Sequence, residues 1–187
     1  MKALPATFVA ALVFSAAPAM AAVTVLGSGP AQTCYDIAEN GGDYAEGISQ
    51  CTNALDDMTL SVRDRAATFV NRGVLHLGRH ELAAGFKDID SGIALDPMLA
   101  DGYIDRGAAS IALGHYDDAL ADLNKGITLG PTRPYVAYYD RAIVERHNDD
   151  VRSAYYDLRK ALELKPDFDL ALKEIKDYHV FHTKAGI

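Results

Sequence analysis

The sequence predicts an all-α protein, an array of helix hairpins closed by a C-terminal capping helix, and three observations carry that prediction. First, the chain repeats itself from residue 66 onward. Phe69, Gly73, Gly85, Ile89, Gly92, Ile93, Leu95 and Pro97 return 34 residues later as Tyr103, Gly107, Ala119, Leu123, Gly126, Ile127, Leu129 and Pro131. A shift of 35 then gives Tyr138, Ala142, Ala154, Leu158, Ala161, Leu162, Leu164 and Pro166. Second, apolar positions in each copy fall three and four apart in two runs of about a dozen residues, which is one face of an α-helix. Breaks at Gly78 to His80, Gly114-His115 and Asn148-Asp149 divide each copy in two, so each copy is a helix hairpin. Third, Pro97, Pro131 and Pro166 close the copies, because Pro lacks the helical N–H and crowds the turn before it.

Composition narrows the function classes. The chain has 187 residues, 18 Lys+Arg against 26 Asp+Glu, a formal net charge of −8 and 49% hydrophobic residues. That length suits one ordinary domain. Phosphate binding needs clustered Lys/Arg, and no such cluster is present, which argues against nucleic acid and anionic lipid as partners. Two Cys are too few for a disulfide-framework miniprotein or a four-cysteine zinc site.

Residues 1–21 read as a secretory signal peptide: Met1-Lys2, an apolar run from Ala6 to Ala17, and a small-x-small cleavage site at Ala19-Met20-Ala21. The run is shorter than the roughly 20 residues of a spanning helix. No later stretch is apolar enough to span a bilayer, so the expected product is soluble and periplasmic or secreted. Residues 22–30, apolar at first and then rich in Gly and Pro, read as a flexible leader.

Residues 31–60 are expected to form a degenerate hairpin. Cys34 and Cys51 lie on either side of a helix break at Gly42-Asp43, so an antiparallel hairpin turns the two thiols toward each other. Outside the reducing cytoplasm they are expected to form a disulfide, which stabilises by about 3 kcal/mol in the chain-entropy model. The rival readings, a redox-active pair or two metal ligands, lack C-x-x-C spacing and a nearby His. A linker at Asp57 to Ser61 leads to three repeats over 66–99, 100–134 and 135–166. Small residues at 73, 107 and 142, opposite 85, 119 and 154, let the paired helices approach closely. Residues 167–187, with Phe168, Leu172, Ile175, Tyr178 and Phe181 among Lys173, Lys176 and Lys184, read as a capping helix and tail over the last hairpin's apolar face.

An aromatic residue, a Gly, a small residue, a large apolar residue and a closing Pro, in that order over residues 66–166, resemble the tetratricopeptide repeat. The chain departs from that pattern where Leu is expected before the Gly, with Arg72, Arg106 and Arg141 instead. Each Arg has an Asp sixteen residues on, at Asp88, Asp122 and Asp157, and the midpoint of each pair is the hairpin turn. Three internal ion pairs are expected; the alternative is an Arg row that grips an acidic ligand.

The resemblance implies a right-handed superhelical solenoid whose first helices line a concave groove. Its inward positions would be Val70, Asn71, Val74, Leu77, Asp101, Ile104, Asp105, Ile111, Tyr139, Asp140, Ile143 and Arg146, with Asn71, Asp105 and Asp140 forming a row in one column. The function this implies is a non-catalytic scaffold that binds a protein, as a peptide or helix, in the groove, without cofactor. A segment with apolar anchors and one or two Lys/Arg would suit it. The alternative is a self-associating component that dimerises through the C-terminal helix. Enzyme readings find little: His76 and His80 are four apart but have no third metal ligand, and no nucleophile motif or phosphate-cradling loop is present.

Overall fold

The computed structural model describes residues 18–25 and 29–178. Residues 1–17 of the expected signal peptide (residues 1–21) and the tail beyond Tyr178, including Phe181, lie outside the described residues, whereas residues 18–21, which hold its expected cleavage site, are described. Among those described, eight α-helices form four antiparallel pairs: α1 (Pro30–Asn40) with α2 (Tyr44–Asp56), α3 (Val62–Gly78) with α4 (Leu82–Leu95), α5 (Ala100–Leu113) with α6 (Tyr116–Leu129), and α7 (Pro134–His147) with α8 (Val151–Leu164). The short α9 (Asp169–Glu174) and a 3-10 turn at Ile175–Asp177 follow. First helices contact the first helices of neighbouring pairs, which is the connectivity of a solenoid. None of the described helices is long and apolar enough to cross a membrane.

Local chemistry sets the boundaries. Asp43, Ser61 and Asp150 cap α2, α3 and α8 by accepting backbone N–H bonds with their side chains. Because Ser61 caps it, α3 starts at Val62, ahead of the repeat's first column. Asp96 and Lys165, each followed by Pro, are forced to extended backbone and end α4 and α8. The hairpin turns adopt left-handed backbone at equivalent places: His80 has φ 62°, Gly114 76° and Asp149 60°. A Cβ in that region is strained. Asp149→Gly is therefore expected to raise stability by about 0.5–1 kcal/mol, read as a higher urea midpoint.

The helix pairs close on small residues. A Cβ on Gly73 would come within 2.8 Å of the Gly85 carbonyl and 2.7 Å of Ile89 Cγ1, so the two backbones are in contact there. Cys34 and Cys51 are fully buried and joined by a disulfide. At the other end, Phe168 sets its ring edge-on to Tyr135 and Tyr139 at 5.0 and 5.4 Å, and Ala171 of α9 is fully buried.

Each Arg of the repeat forks onto its Asp. Arg72 Nε and Nη2 donate to Asp88 at 2.7 and 2.9 Å, Arg106 to Asp122 at 2.7 and 2.8 Å, and Arg141 to Asp157 at 2.6 and 3.0 Å. The third nitrogen, Nη1, reaches back to the preceding hairpin: to Thr52, Asp90 and Asn124 respectively. Each guanidinium also lies over the aromatic three residues before it, Phe69, Tyr103 or Tyr138, at 5.4–5.6 Å. One side chain thus fixes the register within a hairpin and the stacking between hairpins. All three nitrogens of each guanidinium are engaged by the chain itself, an internal use in place of the acidic ligand of the alternative reading.

Candidate functional site

The recurring column of Asn71, Asp105 and Asp140 sits on the first helices α3, α5 and α7 and is fully buried. What buries it is the chain's own N-terminal segment, residues 18–25, a leader segment that joins the end of the expected signal peptide to the start of the expected flexible leader. Residues 18–25 are neither helix nor turn, and they run across α7, α5 and α3 in that order. Ala19 N donates to Asp140 Oδ1 at 2.7 Å, Ala21 N to Asp105 Oδ1 at 2.8 Å, and Val23 N to Asn71 Oδ1 at 2.6 Å. Asn71 also returns a bond, Nδ2 donating to the Val23 carbonyl at 2.8 Å. The three polar side chains are rungs, one per repeat.

Extended backbone explains the interval. In a strand, alternate residues turn the same way, so the N–H groups of residues 19, 21 and 23 can all meet one row. Two extended residues span about 7 Å. Helices pack about 8–10 Å apart, so rungs at the closer interval belong to the inner side of a bend.

Small side chains let the segment lie this close. Ala21, Ala22, Val23 and Val25 are each 1–4% exposed. Val23 and Val25 pack with Ala66, Val70 and Leu99, and Met20 enters the cluster of Leu77, Ile89, Ile93 and Ala109. Ala19 joins the cluster that contains Ile111 and Ile143. Arg133 closes over the segment: its Nη2 donates to the Ala22 carbonyl at 3.2 Å while the guanidinium pairs with Glu39 of α1. A contact between residues 39 and 133 spans the array from its first hairpin to its last.

The positions inferred from the resemblance separate into groups. Asn71, Asp105 and Asp140 form the row, with Leu77, Ile111 and Ile143 in the clusters that take up the leader. Val74 is half-buried. Val70, Ile104 and Tyr139, one column before the rungs, belong to the same clusters and also reach between helices. Val70 Cγ2 abuts Gly92, a Cβ on Gly126 would lie 2.3 Å from Ile104 Cδ1, and Tyr139 meets Phe168. Asp101 accepts from Thr132 N and Oγ1 at 2.9 and 2.7 Å and so holds the loop before α7. Arg146 pairs with Glu174 of α9. Of the leader residues 22–25, expected to be flexible, Ala22, Val23 and Val25 are buried, and the Val23 N–H finds a rung on Asn71. The run Ala19-Met20-Ala21-Ala22-Val23 is apolar throughout, so no period-two alternation marks it as an extended segment. The Arg133–Glu39 clasp has no signal in the repeat, since neither residue belongs to a repeating column.

The electrostatics of the row are unusual. Asp105 and Asp140 are held well above the ordinary carboxylate range, chiefly because burial penalises the charge; the N–H bonds from Ala21 and Ala19 act in the opposite sense. His76, considered as a metal ligand with His80, meets Glu81 at 2.6 Å instead.

Stacked hairpins with a concave row that takes backbone N–H bonds from residues 19–23 define a helical-repeat protein. The fold is that of the tetratricopeptide repeat. No family model matches the chain. The first such domain of human RPAP3 superposes with a TM-score of 0.57 at 20% identity, covering 61% of this chain and 89% of that one. The same domain of Spaghetti (RPAP3), solved with the HSP90 peptide SRMEEVD, gives 0.57 at 19% identity over 64% of this chain and 94% of that one. MamA 41-end from Desulfovibrio magneticus RS-1 gives 0.59 at 15% identity over 79% and 82%. In sequence, 75 residues are 36% identical to sperm-associated antigen 1 of Mus musculus, and 63 residues are 35% identical to U-box domain-containing protein 70 of Oryza sativa subsp. japonica. These matches cover 40% and 34% of this chain and only 8% of either relative.

Proposed function

We propose that this is a non-catalytic interaction scaffold, periplasmic or secreted, whose concave groove captures an extended peptide by its backbone. The observation that carries the reading is the leader itself, seated on Asn71, Asp105 and Asp140 through the N–H groups of residues 23, 21 and 19. Rungs spaced for every second residue suit an extended chain, whereas a helix ties up its own N–H groups. Main-chain bonds supply affinity, and the tight walls restrict alternate side chains to Ala or Val size. The leader is then an occupant in cis. The expected cleavage after Ala21 falls between rungs, so processing would free Asp105 and Asp140 while leaving Val23 on Asn71.

The test is a titration. An acetylated peptide with the sequence of residues 18–25 should bind a chain that lacks residues 1–25. Asn71→Ala should weaken binding about thirtyfold, the loss of two hydrogen bonds worth about 1 kcal/mol each. Unchanged affinity in the Asn71→Ala variant, with its helical signal intact, would move the site off the concave face.

A further inference from the structure

We infer that Asp105 and Asp140 each take up a proton when the groove is filled, so that an extended segment is held more tightly in acid than at neutral pH. The inference rests on the backbone-reading groove proposed above and concerns its regulation.

The three rungs occupy one column but differ by a single donor. Asn71 uses both side-chain polar atoms on one leader residue: Oδ1 accepts from Val23 N, and Nδ2 donates to Val23 O. Asp105 and Asp140 repeat only the first half, each taking one leader N–H on Oδ1. Their Oδ2 atoms, which correspond to the Nδ2 of Asn71, are sealed from solvent and have no hydrogen-bond partner. An ionised carboxylate cannot donate. One proton turns that oxygen into a donor and makes the side chain equivalent to Asn71 in hydrogen bonding.

The surroundings favour that proton. Asp105 faces Asp101 and Glu39, both of which oppose a second negative charge, and Arg133, whose guanidinium is already shared between Glu39 and the Ala22 carbonyl. Asp140 faces Asp105, and its own hydrogen bond comes from the Ala19 N–H. Keeping both ionised beneath the segment would leave two charges in a dry site without a cation of their own, a costly arrangement. Burial accordingly holds both carboxyls well above their usual range.

The sign follows from linkage. The segment is what seals the rungs, so removing it returns both carboxyls to water and to ordinary acidity. The filled groove therefore binds more protons than the empty one, and occupancy is favoured as pH falls through the raised filled-state value. Each carboxyl contributes at most a tenfold change per pH unit.

The experiment uses the full, uncleaved 187-residue chain, in which residues 18–25 are the ligand. Amide hydrogen exchange is followed at Ala19, Ala21 and Val23 from about pH 5 to about pH 8, each rate divided by its intrinsic value. Protection at Ala19 and Ala21 is expected to fall tenfold or more as pH rises, and Asp105→Asn/Asp140→Asn, which installs the donor permanently, should keep its protection throughout. Infrared spectra of the unmutated chain should show a protonated carboxylic-acid band in acid that the double variant lacks, a readout independent of that variant's stability. Protection that does not change with pH in the unmutated chain, together with the absence of the acid band, would overturn proton uptake and leave the groove standing. Absence of protection at all pH values in both proteins would overturn the groove reading and this inference with it.

Discussion

Ile104→Glu is expected to unfold the array instead of merely emptying its groove. Ile104 is 1% exposed and packs against the glycine surface of α6 at Gly126 and the last hairpin's cluster. A glutamate there meets no cation: the guanidinium two residues on, Arg106, is turned to Asp122 and Asp90. Removing the Ile side chain from the core costs about 2 kcal/mol, and burying an unpaired carboxyl adds about as much again. The expected loss is about 4–5 kcal/mol, within the range reserved for such mechanisms. Urea unfolding followed by circular dichroism would read it as a collapse of the midpoint, and Tyr139→Glu should behave alike. Asp105→Asn, at the very next position, should leave the midpoint near the unmutated value. An Ile104→Glu protein with an unchanged midpoint would put that side chain back on an open surface.

That contrast shows how far the sequence could be read. A repeat of 34 or 35 residues fixes which columns are equivalent, and the small residues and prolines fix where helices touch and end, because both are consequences of backbone sterics. Arg72, Arg106 and Arg141 could be matched to their Asp partners for the same reason: equal distances from a hairpin turn lie opposite each other. Periodicity alone does not say whether an inward column faces a ligand or the partner helix. Columns 70-104-139 and 71-105-140 differ by one residue, about 100° on a helix, and that rotation separates core from groove. The groove segment carries no alternation of its own, since Met20 and Ala22 are apolar like their neighbours, and its first residues coincide with the expected cleavage site; extended backbone with small side chains suits both a peptidase and these rungs. The Arg133–Glu39 clasp joins elements 94 residues apart and depends on the curvature of the whole array, which no local pattern encodes.

Asp122→Ala should cost about 3 kcal/mol, whereas the paired replacement Arg106→Met/Asp122→Leu should cost about 1 kcal/mol or less. The asymmetry comes from what is left behind. Arg106 and Asp122 are 28% and 14% exposed, so removing the carboxylate strands a guanidinium that is mostly out of water. Asp90 remains, but it is 57% exposed and holds only Nη1, so it cannot replace the lost fork. In the double variant no charge is stranded, and Met can keep its stem over Tyr103, where the guanidinium now lies 5.6 Å from the ring centre. The difference between the single and double variants separates a register device from a net source of stability. The clamp to the preceding hairpin adds a further consequence: loss of Arg106 should loosen stacking between the second and third hairpins before it melts either one. Hydrogen exchange would read this as amides in α4 and α5 exchanging through a local opening at lower cost than global unfolding. Equal costs for the single and double variants would mean that the guanidinium is adequately solvated without Asp122, and that shape alone sets the register.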